Sequence, residues 1–268
     1  MNYKDEIIDF VVKGFKNIYN PCSSLTNINH SFVLKDKKNN FITLPPKDFK
    51  YHMWASSLKS SQAFAYNVFS GVKNPTLQFE FPMEVFDRDA QIDVMIENME
   101  LQTIELFEVK AFEICSLGKN KITFEEKYFT KNQYKRLDIA EQFITFLKTV
   151  ITTFENQKIY GGGVKQICSH LLGIINIMDK PDYKNKKFKL YSFCFDNLFS
   201  NKFENDINNY KKTLTTLKRL VDDFFKDIKI DSRVDYSGFL SANEFVNQNK
   251  TLLGKKNYDY VSKRYFYS

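Results

Sequence analysis

The chain has 268 residues, 43% hydrophobic and 26% charged, the balance of a folded chain long enough to bury one substantial core rather than of a disordered one. No apolar run approaches the ~20 residues of a membrane-spanning helix. Lys and Arg outnumber Asp and Glu 39 to 32, a formal net charge of +7, which suits a polyanionic partner and equally suits the lysine drift of an AT-rich genome.

The opening stretch MNYKDEIIDFVVKGF carries Asp5, Glu6 and Asp9 and lacks the basic segment and small-residue cleavage site of a signal peptide, so a cytoplasmic location is expected. Cys22, Cys115, Cys168 and Cys194 form no CxxC pair, and His30, His52 and His170 are equally scattered. This argues against a zinc site and for reduced thiols. Ile8, Val11, Val12, Phe15 and Ile18 predict an amphipathic helix over 5–19, ended by Asn20-Pro21. Residues 22–51 are polar and turn-rich, and residues 1–55 together read as a helix with an embellishment.

Leu58, Phe64, Ala65, Val68 and Phe69 predict a helix over 56–69, capped by Ser56 or Ser57 and stopped at Gly71. Pro75 breaks the chain. Alternation over 77–85 predicts a strand, with Pro82 marking an edge position or a bulge; Glu80, or less centrally Glu84, could lend a carboxylate to a site. Strands follow over 91–97 and 101–111, joined at Asn98-Met99. Residues 113–127 read as irregular. A broad apolar stripe predicts a helix over 133–154, Gly161-Gly162-Gly163 a hinge or cap, and 164–177 a buried helix with His170 as a core or interface histidine. A basic turn at 184–189 leads to an aromatic strand at 190–195. The helix expected over 201–229 packs on the sheet or forms a dimer seam. The tail, with Lys255, Lys256, Lys263 and Arg264 among tyrosines, suits either nucleic-acid contact or a docked terminal strand. The expected fold is α/β (α+β), a mixed central sheet flanked by helices, with a core over 56–200 and the segment 201–268 packed on the same domain.

The chemistry concentrates in QIDVMIENMELQTIELFEVKAF, residues 91–112. Glu108 and Lys110 lie two apart on one strand and so point the same way, while Asp93, fifteen positions before Glu108, can lie opposite them on the preceding strand. Two carboxylates and the intervening Val109 carbonyl offer hard oxygen ligands to Mg²⁺, and Lys110 beside them can orient or help deprotonate water and stabilise phosphate charge. A Glu-x-Lys pair is often only a solvated ion pair. Here Ile104, Leu106, Phe107, Val109 and Ala111 make the strand apolar on both faces, as in a buried central strand, where charges need partners.

Asp93…Glu108-Val109-Lys110 resembles the signature of the PD-(D/E)xK nuclease superfamily, which includes many type II restriction endonucleases; Ile92 stands where the motif's name has proline. The stretch from Trp54 to Phe69, with Ser60-Ser61-Gln62-Ala63, is similar to a helix preceding the core in one restriction-endonuclease-like branch. The resemblance covers roughly 54–195. It implies a restriction-endonuclease-like core and a Mg²⁺-dependent endodeoxyribonuclease acting on double-stranded DNA, with Mn²⁺ able to substitute and a homodimer as one assembly. Asp93, Glu108 and the Val109 carbonyl would hold the metal, Lys110 would serve the chemistry, and Glu80 and Gln62 would assist. The alternatives are a non-catalytic nucleic-acid-binding relative and a structure-selective repair or recombination nuclease.

Overall fold

A computed structural model describes residues 3–18, 25–26, 32–74, 76–116 and 121–267. In chain order the elements are α1 (Tyr3–Ile18), β1 (Leu25–Thr26), β2 (Val33–Leu34), α2 (Ser61–Phe69), β3 (Gln78–Glu84), β4 (Asp89–Asn98), β5 (Thr103–Lys110), α3 (Ala140–Phe154), α4 (Gly161–Ile177), β6 (Lys187–Cys194), α5 (Asn201–Asp227), β7 (Val234–Ser241), α6 (Ala242–Gln248) and α7 (Lys250–Tyr265). The expected α/β architecture is present: a five-stranded mixed sheet ordered β3-β4-β5-β6-β7, with β1 and β2 forming a separate ribbon. β3, β4 and β5 are antiparallel neighbours, whereas β6 and β7 join in parallel. Such parallel joins need long crossovers, here supplied by α3 with α4 and by α5.

β5 is central and buried along almost its whole length, as its doubly apolar pattern requires. β3 is one of the two edge strands, which accommodates Pro82 and its missing donor. Phe69 of α2 packs on Phe107, and His170 of α4 reaches Glu108; these neighbours on β5 face opposite ways, so α2 and α4 cover opposite faces of the sheet. Gly173 lets α4 approach β3 closely: a Cβ there would stand 2.8 Å from that of Met83. One continuous apolar core takes residues from Ile7 of α1 through to Tyr265 of α7, so the N-terminal helix, the central region and the C-terminal segment share it. Among the described residues no helix is long and apolar enough to cross a membrane.

Several boundaries differ from expectation. α1 buries Ile7, Phe10, Val11 and Phe15, a face rotated from the one its sequence suggested, because α7 lies against it. α2 starts at Ser61 and its cap is Ser60, whose hydroxyl accepts from the Ala63 amide; residues 53–59 are instead turns on either side of a bridge from Ser57 to Val33. α3 starts at Ala140 rather than 133. The preceding segment is tied down by its side chains: the Tyr134 hydroxyl donates to the Tyr128 carbonyl at 2.5 Å, and Arg136 bonds Asp138 and Asp179. Gly161–Gly163 open α4 rather than forming a hinge. The strand expected at 190–195 begins earlier, at Lys187, and β7 is an additional strand that the sequence did not suggest.

α5 lays its apolar face on β7 and α3, so packing on the sheet accounts for its pattern. The tail is a helix, neither a strand nor an exposed arm. It kinks at Gly254 (φ +74°), and it buries Leu253, Val261, Arg264 and Tyr265. Arg264 donates to the Asn40 carbonyl and to Tyr260, and Asn67 donates to Tyr265, which fastens the 32–60 segment, α2 and α7 together. Of the thiols, Cys168 and Cys194 are unbridged and buried. Cys22, Asn20-Pro21 and Pro75 lie outside the described residues.

Candidate active site

The β4–β5 ladder is regular from Asn98–Thr103 to Val94–Phe107 and ends there. One step further, the Asp93 carboxylate, not a backbone carbonyl, accepts the Val109 amide at 2.6 Å. The strands open at this point, and Asp93, Glu108 and Lys110 gather where they part. On the other side of β4, Glu80 of β3 occupies the rung opposite Asp93, between the pairs Phe79–Val94 and Phe81–Ile92. Its φ of +55° is unusual for a strand residue and marks a local distortion of β3 at this rung.

Glu108 and Lys110 are 2% and 4% exposed, while Asp93 keeps partial contact with solvent. Lys110 Nζ bonds one Glu108 oxygen, and His170 Nε2 lies 2.7 Å from the other. Burial alone would raise the Glu108 carboxyl, but Lys110 and then His170 outweigh it and hold it below the usual carboxylate range. Burial alone would likewise lower the Lys110 ammonium; Glu108 and Asp93 reverse this and raise it, so Lys110 keeps its proton. Asp93 goes the other way. Its enclosure, then the Glu108 charge, push it well above the usual range, and Lys110 and the Val109 amide offset this only in part. Two neighbouring carboxylates that cannot both ionise cheaply are a hallmark of sites that work on charge.

Gln62 sits in the first turn of α2 and is almost fully buried. Its amide donates to Glu80 at 3.0 Å and to the Lys50 carbonyl at 2.8 Å, and its oxygen accepts the His52 amide at 2.9 Å. His52 Nε2 lies 3.0 Å from the second Glu80 oxygen, and this bond raises the imidazole against its own desolvation. The sequence-derived set Asp93, Glu108, Lys110, Glu80 and Gln62 is thus brought into one neighbourhood. Glu84 is not part of it: its carboxylate pairs with Lys135 at 2.5 Å and Lys180 at 2.7 Å on the surface.

Two further members, His170 and His52, were not assigned to the site from the sequence. His170 stands among Ile167, Leu171 and Ile174 on the apolar face of its helix, where an imidazole needs a buried partner, and that mismatch was its one signal. Its Nδ1 has no hydrogen-bond partner among the described residues. His52 lies in a turn and carried no signal. Glu113, which accepts the Ala111 amide at 2.8 Å, adds a negative charge beside Lys110.

The donor set suits a hard divalent cation in its chemistry. The carboxylates are oxygen ligands, and Asp93 is raised first by its enclosure and then by the Glu108 charge, the second of which a cation would relieve. In the arrangement observed, both Glu108 oxygens have hydrogen-bond partners, and among the described residues no group of three or more His, Cys, Asp and Glu is disposed to hold a metal. No protein-family model, curated protein or solved structure matches this chain.

Proposed function

We propose that the chain is a metal-dependent endodeoxyribonuclease of the type II restriction-enzyme kind, built on a restriction-endonuclease-like core. The observation that carries the reading is the meeting of Asp93, Glu108 and Lys110 at the point where the β4–β5 ladder opens. Asp93, Glu108 and the Val109 carbonyl would hold Mg²⁺, or Mn²⁺ in its place. Bound there, the ion would supply Lewis acidity and an acidified water. Lys110 keeps its proton, so its part is that of a fixed positive charge beside the phosphate rather than a general base. Gln62 holds Glu80 and the irregular 50–52 segment in place, and Glu80 sets the negative potential on the far side of Asp93. The reading brings with it double-stranded DNA as partner, a cytoplasmic location, and a homodimer as one way to cut both strands.

A second reading, a nucleic-acid-binding relative without catalysis, is favoured by the Lys110–Glu108–His170 network, in which both Glu108 oxygens already have partners. Supercoiled plasmid with Mg²⁺ separates the two. Discrete fragments that vanish with Asp93→Ala, Glu108→Ala or Lys110→Ala support the nuclease; branch-restricted cutting points to a structure-selective nuclease. Binding without cutting by wild-type protein supports the second reading. Cutting by Asp93→Ala or Glu108→Ala at the wild-type rate refutes the site.

A further inference from the structure

Beside the acidic row lies a cleft of about 580 Å³, within the ~300–1,000 Å³ usual for small-ligand sites. Its walls include Phe32, Trp54 and Phe112, and Lys59, His52 and Glu113 supply polar groups. Two of these tie it to the site already described: His52 bonds Glu80, and Glu113 lies beside Lys110. Trp54 is 65% exposed although it is the chain's one tryptophan and Ala55, Ser57 and Leu58 just after it are buried. Its backbone is fixed by turns, with the Ser57 amide donating to the Trp54 carbonyl at 2.9 Å and the Ala55 amide to the His52 carbonyl at 3.1 Å. A large aromatic face is therefore held out on an ordered backbone at the rim.

Lys59 gives the cleft its positive charge, set against the single Glu113 carboxylate on the same lining. Its ammonium stands 4.5 Å from the Phe32 ring centre, and among the described residues it has no carboxylate within ion-pair distance. A half-buried cation facing an aromatic wall suits an anionic ligand with a flat apolar part. By contrast, the cleft of about 460 Å³ between α3 and α5 presents Glu141, Asp223 and Asp227, which repel a polyanion.

We propose that the Trp54 cleft receives an unpaired nucleobase of the DNA strand, stacked on Trp54, with that nucleotide's phosphate at Lys59. This rests on the nuclease reading and names its substrate class: a strand unpaired, frayed or flipped next to the bond to be cut. A base stacked inside a duplex cannot present its face to a side chain without leaving the stack, whereas a single strand offers every base.

Trp54 makes the test direct, because no other residue contributes tryptophan emission. Single-stranded dT12 is titrated into the full-length protein in EDTA, with Trp54 emission and the anisotropy of labelled dT12 read together. Saturable quenching that tracks the anisotropy is expected, with weaker binding of a blunt 12-base-pair duplex. Trp54→Ala should weaken dT12 binding at least about fivefold, and Trp54→Phe by less. Since Trp54 is exposed, these variants should melt with the wild type. Bound dT12 with unchanged emission, equal affinity in Trp54→Ala, or no dT12 binding overturns the proposal. Its failure is distinguishable from that of the nuclease reading. Protein that cuts plasmid with Mg²⁺ while its emission stays flat loses only the stacking cleft. Protein that never cuts, yet is quenched and loses affinity with Trp54→Ala, keeps the cleft and loses the nuclease.

Discussion

Asp93→Asn isolates what the site costs the fold. Asparagine keeps an oxygen to accept the Val109 amide, held at 2.6 Å in the wild type, and removes the charge that faces Glu108. Asp93 is pushed well above the ordinary carboxylate range, first by its enclosure and then by Glu108. Each pKa unit of such displacement corresponds to about 1.4 kcal/mol. The variant should therefore be more stable than wild type at pH 7. The sign follows from proton linkage. The unfolded chain ionises Asp93 near pH ~4, and the native chain does so only at higher pH. Across that window the native state binds more protons, so the wild type loses stability as the pH rises and the asparagine variant does not. The difference between the two should be small near pH 4.5 and larger at pH 8. Urea denaturation at a series of pH values measures it by linear extrapolation. A variant less stable than wild type at pH 7, or a difference independent of pH, would refute the electrostatic reasoning. A gain in stability together with lost cleavage is what a charge kept for chemistry predicts; a structural ion pair predicts the reverse.

Lys110→Met leaves Glu108 buried with His170 as its remaining partner and should cost about 3–5 kcal/mol, while Lys110→Met with Glu108→Gln should recover much of it; urea denaturation of both variants gives the comparison. If the carboxylates take a divalent cation, 10 mM Mg²⁺ at a Kd of ~0.1 mM would add about 2.7 kcal/mol, visible as a raised melting temperature in wild type and absent in Asp93→Asn. Deleting residues 255–268 removes Val261, Arg264 and Tyr265 from the core, a loss on the order of 5–10 kcal/mol. Circular dichroism should show an unfolded chain; a truncated protein that melts like the wild type and merely binds DNA with a flatter salt dependence would show α7 to be an arm.

What could be read from the sequence follows the periodicities that packing imposes. The β4–β5 hairpin and the buried stretch of α4 were legible because one side of each element's chemistry repeats at its own period. The helix over 201–229 was legible for the same reason, its buried Leu214, Leu217, Val221 and Phe225 falling at helical spacing. β7 was not, because its run VDYSGFLS mixes turn residues with apolar ones. The register slips between Leu190 and Tyr191 opposite it, and Gly238 adopts φ +74°, so the alternation breaks halfway. α7 was illegible for a different reason. Its buried positions include Asn257 and Arg264, which become core residues only because Asn67, Ser70 and Asn40 meet them from distant parts of the chain. Position along the sequence carries no trace of such partners.

The candidate site was legible because it violates the pattern around it. Glu108 and Lys110 interrupt an apolar strand, and a buried charge on such a strand is costly unless something opposite compensates it. That reasoning located Asp93, Glu108 and Lys110, but could not supply the compensation. His170 comes from α4, 62 positions beyond Glu108, and Gln62 and His52 fix Glu80 from α2 and from the turn before it. The same physics explains both halves. A charge in a core announces itself in one dimension by being out of place, while the groups that make it tolerable are set by the crossover and the loops, and so appear only in three.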